Sequence, residues 1–322
     1  MNKKINILSS IDLSMLGDEL DFFKKKTNLN FSIDSVHQTY QKIEYADIYI
    51  SSAKVKIDKK FLKNSKNLKL ILSPSTGTDH LDMIEIKRRK IKCIHIAKER
   101  KLLDTFTATS ELVFALLLFI NRSLVQNYFS AISGNWIRDK LTARQLYGKT
   151  LGIIGLGRLG KITAKIANGF GMKVVGFDKN KKIKLNNVKN TSLNTLLKKS
   201  DVISLHIHLN KKNKNFINRK KILIMKPDVT LINTSRGKII NENDLIYFLK
   251  LRKKFKVALD VIDGEWLSSS ELKKHKLIKY ANKNKNLIIV PHIGGATEES
   301  IYGARNFIIE KLKKIIKSNY DK

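Results

Sequence analysis

The chain has almost no cysteine and almost no proline: one Cys and three Pro among 322 residues. The single thiol, Cys93, excludes an internal disulfide and leaves no cysteine set for structural zinc, so a reducing, cytoplasmic setting is expected. Cys93 lies among Ile91, Ile94 and Ile96 and reads as a small buried apolar residue. Acidic residues are scarce as well, 28 against 63 Lys and Arg, giving a formal net charge of +35. No apolar run approaches the roughly 20 residues needed to cross a bilayer. The longest, Leu112 to Ile120, reads as a buried helix segment, and no membrane partner is expected. The start, MNKKINILSS, is basic and passes into a short strand without the apolar region of a cleavable leader.

Positive charge on this scale suggests nucleic acid until its distribution is considered. Lysine is spread along the whole chain, and clusters such as Lys24-Lys25-Lys26 and Lys311 to Lys317 fall where helices present polar faces. No zinc-finger, basic-zipper or aromatic RNA-binding motif accompanies them. The charge therefore reads as a solvated surface able to attract small anionic substrates, without a specific nucleic acid partner.

What the chain does have is Thr150 to Gly160, TLGIIGLGRLG, a short apolar run followed at once by Gly155-x-Gly157-x-x-Gly160. A helix-forming segment, Lys161 to Asn168, stands behind it. Strand, glycine turn and helix are what a dinucleotide pyrophosphate needs: a tight turn, a bare backbone beside the phosphates, and unpaired N–H groups at a helix start. A second strand, Met172 to Phe177, ends in Asp178, 18 residues past Gly160. An acid at that spacing accepts from the ribose hydroxyls and repels a 2′-phosphate, so NAD is favoured over NADP.

Short apolar runs alternate with helical segments throughout. In the first hundred residues they are Ile5 to Leu8, Asp47 to Ile50, Leu68 to Leu72 and Ile91 to Ile96. After a loop at Leu103 to Phe106, one long helical pattern covers Thr109 to Ser133. Six strands then begin near Thr150, Lys173, Asp201, Val229, Lys256 and Leu287. The pattern predicts an α/β protein with two doubly wound parallel sheets. The helix around Glu298 to Lys317 is too short to be a domain and should return to the first one. Hence the expected organisation is a substrate-binding domain over 1–103 plus 295–322 and an inserted nucleotide-binding domain over 104–294, hinged around a cleft.

Three segments of the second half end strands with polar residues. They are Asn233-Thr234-Ser235-Arg236-Gly237, Asp260 to Glu265, and Pro291-His292-Ile293-Gly294-Gly295. The planar fork of an arginine at the ligand edge of an open α/β sheet suits a carboxylate. A histidine and carboxylates at neighbouring strand ends suit proton transfer.

With Ser75-Thr76-Gly77-Thr78-Asp79-His80-Leu81-Asp82 and Gly148-Lys149-Thr150-Leu151-Gly152 added, the chain resembles, over nearly its whole length, the D-isomer-specific 2-hydroxyacid dehydrogenases. That family includes phosphoglycerate, D-lactate and glycerate dehydrogenases. The resemblance implies an NAD-dependent oxidoreductase whose catalytic Arg, Glu and His are Arg236, Glu265 and His292. It implies that His292 gives a proton to the carbonyl oxygen of a 2-keto acid, that Glu265 orients and charges the ring, and that Arg236 binds the substrate carboxylate. The implied cofactor residues are Gly155, Gly157, Arg158, Leu159, Gly160, Asp178, His206, Thr234, Ser235, Asp260, Gly294 and Gly295, with Asp260 on the nicotinamide amide. Ser75, Thr76 and Gly77 are implied as N–H donors to the substrate carboxylate, beside Arg236 and His292. A homodimer is implied, with the helix from Thr109 as a contact.

The chain departs from the family where His-x-Pro is usual: it reads His206-Ile207-His208. Arginines that would hold a phosphate are absent from Ser51-Ser52-Ala53 and Ser73-Pro74-Ser75, which weakens a phosphoglycerate substrate, although Lys54 is nearby. Asp263 competes with Glu265 as partner of the histidine. His80 is expected to cap a helix or face solvent, and His37, His95 and His275 to be structural or surface residues. The Trp266 to Asn286 segment is expected at the mouth of the site. A second reading is a non-catalytic, NAD-sensing protein of the corepressor kind, since the same scaffold serves both.

Overall fold

All strand pairings among the described residues are parallel, as short apolar strands joined by crossover helices require. The structure, a computed structural model, describes residues 4–33, 35–136, 142–180 and 185–320; the first three residues of the basic start lie outside them. The chain divides into two compact units, Met1–Phe106 with Ala296–Lys322, and Thr107–Gly295.

The first unit holds β1 (Asn6–Ser9), β2 (Asn28–Phe31), β3 (Ile48–Ile50), β4 (Leu70–Ser73) and β5 (Lys92–His95). Their order is β2-β1-β3-β4-β5, a doubly wound sheet. The helix Glu298–Tyr320 returns to this unit, burying Ile308, Ile309, Leu312 and Ile316 with Ile7, Ile48 and Leu70. Cys93 pairs in register with Ile71, and burial pushes its thiol up to about 11, which makes it a poor nucleophile.

The second unit holds β6 (Thr150–Ile154), β7 (Lys173–Phe177), β8 (Lys189–Asn190), β9 (Val202–Leu205), β10 (Thr230–Asn233), β11 (Lys256–Leu259) and β12 (Leu287–Ile289). The order β12-β11-β10-β9-β6-β7-β8 reverses direction between β9 and β6, the switch point at which such sheets bind ligands. Both faces are covered. Ile154, Leu231, Val257 and Leu259 pack in one core cluster, while their neighbours Ile153, Ile232 and Ala258 pack in another.

Three expectations are corrected. The second sheet has seven strands, not six, and the first has five, not four, because β2 and β8 are polar edge strands held by backbone pairing. Asn28-Leu29-Asn30-Phe31 and Lys189-Asn190 carry too few apolar residues to stand out in sequence. The single long helix is two, Ala108–Asn121 and Leu124–Ile132, broken where Ser123 takes a left-handed φ of 49°. By length and composition alone the stretch Arg100–Asn121 could cross a membrane. Val113, Phe114, Leu117 and Ile120 are instead buried with Leu151, Ile232 and Ala258 of the sheet. No residue of Leu124–Ile132 is fully buried. Finally, His80 is buried, with Nε2 3.4 Å from Ser73 Oγ, and Asp82 is the residue that caps the following helix.

Candidate active site

The glycine loop follows β6 at the switch point. Gly155 has φ +99°, and a Cβ there would strike the His206 carbonyl; a Cβ on Gly160 would strike the Gly155 carbonyl. Both glycines are therefore required by backbone packed on backbone. Gly157 is different, with nothing within 4 Å of where its Cβ would be. It opens the helix Arg158–Gly169 without a side-chain cap, and an uncapped helix start beside open space is what a phosphate fits. Leu159 is tied down by its carbonyl, which accepts from Ser110 Oγ at 3.1 Å, and Arg158 lies partly exposed beside it. Asp178 follows β7 and accepts the Leu156 N–H at 2.7 Å and the Asn180 N–H at 2.8 Å, so the carboxylate expected at the ribose is a brace for the loop.

Across the switch point, His206 follows β9 and donates its backbone N–H to Ile154 at 2.7 Å. Its Nε2 is 2.8 Å from Ser204 Oγ, its Nδ1 is enclosed without a protein partner, and burial pushes the ring's pKa down to about 4. The imidazole is neutral at pH 7. Thr234 Oγ1, after β10, is likewise enclosed and unpartnered, while Ser235 Oγ donates to the Leu205 carbonyl. These orphaned polar atoms at the ligand edge, with the bare helix start, fit a dinucleotide.

Arg236 follows in the same turn. Asn233 shapes that turn by donating Nδ2 to the Arg236 carbonyl and accepting the Ser235 N–H. The guanidinium donates to the Ser235 carbonyl at 2.7 Å. Strands β10, β11 and β12 are consecutive neighbours, so the ends carrying Arg236, Asp260 and His292 share one edge of the sheet.

His292 is one of five non-glycine residues with positive φ among those described (φ 53°). That conformation costs on the order of 1–3 kcal/mol and persists only where its surroundings enforce it. Asp260 enforces it. Its carbonyl accepts the His292 N–H at 2.8 Å, and its carboxylate accepts the Ile293 N–H at 2.6 Å and the Gly294 N–H at 3.0 Å. Burial pushes the Asp260 carboxyl up, against the opposing pull of those N–H groups and of His292. Both oxygens of Asp260, the residue that the resemblance places on the nicotinamide amide, thus hold the histidine turn. Thr109 Oγ1 secures the turn from behind by donating to the Gly294 carbonyl at 2.9 Å, and Gly295 borders open space.

The imidazole so aimed meets Glu265: Nδ1 lies 2.9 Å from Oε1, with the two side chains 27% and 16% exposed. Nδ1 can only donate to a carboxylate, which leaves Nε2 to hold or release a proton. The other Glu265 oxygen is buried with no protein partner. Asp263 is not the partner; its carboxylate stands 3.5 Å from Lys238 Nζ. Trp266, missed individually by the sequence, stacks on the His292 ring, centroids 5.5 Å apart and planes at 27°. Adjacency to Glu265 was its only signal. Ser75, Thr76 and Gly77 lie in the other unit, in the loop leaving the carboxyl end of β4.

Known proteins resemble the chain in sequence and in fold. The family model for the NAD binding domain of D-isomer specific 2-hydroxyacid dehydrogenases matches residues 114–294. The chain is 34% identical to glyoxylate reductase of Thermococcus litoralis, covering 84% of this chain and 81% of that protein. It is 31% identical to hydroxypyruvate reductase of Thermotoga maritima, covering 94% and 96%. Among solved structures it is similar to the D-lactate dehydrogenase of Aquifex aeolicus complexed with NAD and lactic acid, with TM-score 0.82, 28% identity, and coverage of 98% and 96%.

Proposed function

From the premise that the chain belongs to the D-isomer-specific 2-hydroxyacid dehydrogenase family and is an NAD-dependent oxidoreductase, we propose that it reduces a small 2-keto acid of the glyoxylate or hydroxypyruvate class. The observation that carries this reading is the 2.9 Å bond between Glu265 and a His292 held in a left-handed conformation by Asp260. When bound, the nicotinamide supplies the hydride; the chain's own residues supply binding, orientation and the proton. Gly155, Gly157 and Gly160 with the helix start hold the pyrophosphate, Asp178 the ribose, and Thr234, Ser235, Gly294 and Gly295 border the cofactor. His292 Nε2–H donates its proton to the substrate carbonyl oxygen, turning C=O into CH–OH once the carbon has been reduced. The carboxylate of Glu265 accepts the Nδ1–H and keeps the ring in one tautomer. Arg236 binds the substrate carboxylate with its planar fork.

The small-acid choice is supported by the glyoxylate and hydroxypyruvate reductases to which the chain is similar. It is supported as well by the lack of arginine in Ser51-Ser52-Ala53 and Ser73-Pro74-Ser75. The test is NADH oxidation by purified protein over glyoxylate, hydroxypyruvate, pyruvate, 2-oxoglutarate and 3-phosphohydroxypyruvate. Turnover strongest on one of the first two is expected, and it is lost in His292→Asn. Preference for 3-phosphohydroxypyruvate would sink the substrate assignment.

The functional molecule is proposed to be a homodimer. The helix Leu124–Ile132 supports this, since it exposes Leu124, Tyr128, Phe129 and Ile132 at 43–63% and buries none of them.

A further inference from the structure

Two buried side chains grip the loop that carries Glu265. Asp263 stands two residues before Glu265, in the irregular segment after β11. Its backbone N–H donates to Glu242 Oε1 at 2.8 Å, and its carbonyl lies 3.0 Å from His275 Nε2. Glu242 begins the helix Glu242–Leu251, and His275 is the N-cap of the helix Lys276–Ala281. Their side chains are only 7% and 10% exposed and approach each other to 3.4 Å. His275 Nδ1 accepts the Leu277 N–H at 3.3 Å, so Nε2 is the nitrogen that carries hydrogen and donates to Asp263. Lys276 Nζ, 3.5 Å from Glu242, and Lys238 Nζ, 3.5 Å from the Asp263 carboxylate, are the charges facing the cluster.

A loop that had only to close would not need a carboxylate and an imidazole taken out of water, since burying such groups is costly unless each is paired. An ordinary Ser or Asn would cap the helix equally well. What the pair adds is a hold on both polar groups of a single residue, which fixes the chain in position and rotation just before Glu265. A proton-transfer pair needs that order, because geometry must be kept to about 0.5 Å for full efficiency.

We propose that Glu242 and His275 are positioning residues for the proton-transfer pair: by clamping the Asp263 backbone they set Glu265 against His292 Nδ1. The inference rests on the reading of His292 as the acid–base group.

The test is the pH profile of kcat for 2-keto acid reduction in His275→Asn, Glu242→Ala and Glu242→Gln, with Glu265→Gln and His292→Asn as references. Asn at 275 still caps Leu277 but cannot reach Asp263. Its kcat should fall roughly tenfold or more, its KM for NADH should stay unchanged, and its pH profile should depart from wild type in the same sense as that of Glu265→Gln. Glu242→Ala should follow it, and Glu242→Gln, which keeps an acceptor for the Asp263 N–H, should recover most of the loss. Amide hydrogen exchange at Gly264 and Glu265 should quicken in His275→Asn while that of Lys279 to Ala281 holds. A wild-type profile in His275→Asn beside a displaced Glu265→Gln overturns the clamp, as does a loss that only tracks the folded fraction. Full turnover in both reference variants overturns the acid–base reading and the clamp with it. Should Glu242→Ala not fold, His275→Asn decides.

Discussion

His206 shows how one side chain ties the site to the stability of the protein. Its neutral ring is enclosed beside the glycine loop with a folded pKa of about 4, against roughly 6.5 for an unperturbed histidine. Because the folded value is the lower one, the unfolded chain takes up the proton first as pH falls. The folded state is therefore unaffected above about pH 6.5 and progressively loses stability between there and pH 4. The loss from this group is on the order of 2 kcal/mol at pH 5. Urea unfolding at pH 7.5 and pH 5 should show a larger drop in wild type than in His206→Gln; equal drops would mean that the ring is hydrated in the folded state. Arg236, Glu265 and His292 stood out in sequence because each follows a strand and has Gly237, Gly264 or Pro291 beside it. Their partners did not. Asp260 was assigned to the cofactor, and nothing in the sequence says that its carboxylate also accepts the Ile293 and Gly294 N–H groups. His275 looked unaccompanied because Glu242 and Asp263 come to it only through the fold.

Among the elements, the strand–turn–helix unit around Gly155 is the part most completely written in local sequence. Gly155 and Gly160 are dictated by backbone approach, so Gly160→Val should abolish NADH binding, measured by fluorescence titration, through displacement of the Gly155 carbonyl. Retained affinity would mean that the helix can shift without losing the phosphate site. The helix after Thr107 was legible in its apolar half and misread beyond it. Periodicity carries straight through Arg122 and Ser123, and the break there is a matter of one residue's left-handed φ. The edge strands β2 and β8 were invisible for a related reason. They are specified by the neighbour they pair with, β1 and β7, and not by an apolar pattern of their own.

For the whole molecule, the exposed apolar helix Leu124–Ile132 sets the expectation. Tyr128 and Ile132 are 61% and 63% exposed on a chain rich in lysine. Light scattering at micromolar concentration should give a dimer, and Tyr128→Glu with Ile132→Glu should give a monomer; a wild-type monomer would remove the proposal. The sequence by itself determined the α/β class, the nucleotide loop and the family, since these depend on short-range patterns of apolar residues and glycine; Arg236, Glu265 and His292 it offered as candidates through the family resemblance. Tertiary structure alone decided how those residues are aimed. Asp260 reaches across to impose a backbone conformation on His292, Trp266 lies on its ring, and Glu242 and His275 meet at Asp263. Such contacts join residues far apart in the chain, and a hydrogen bond leaves no periodicity in the sequence that makes it.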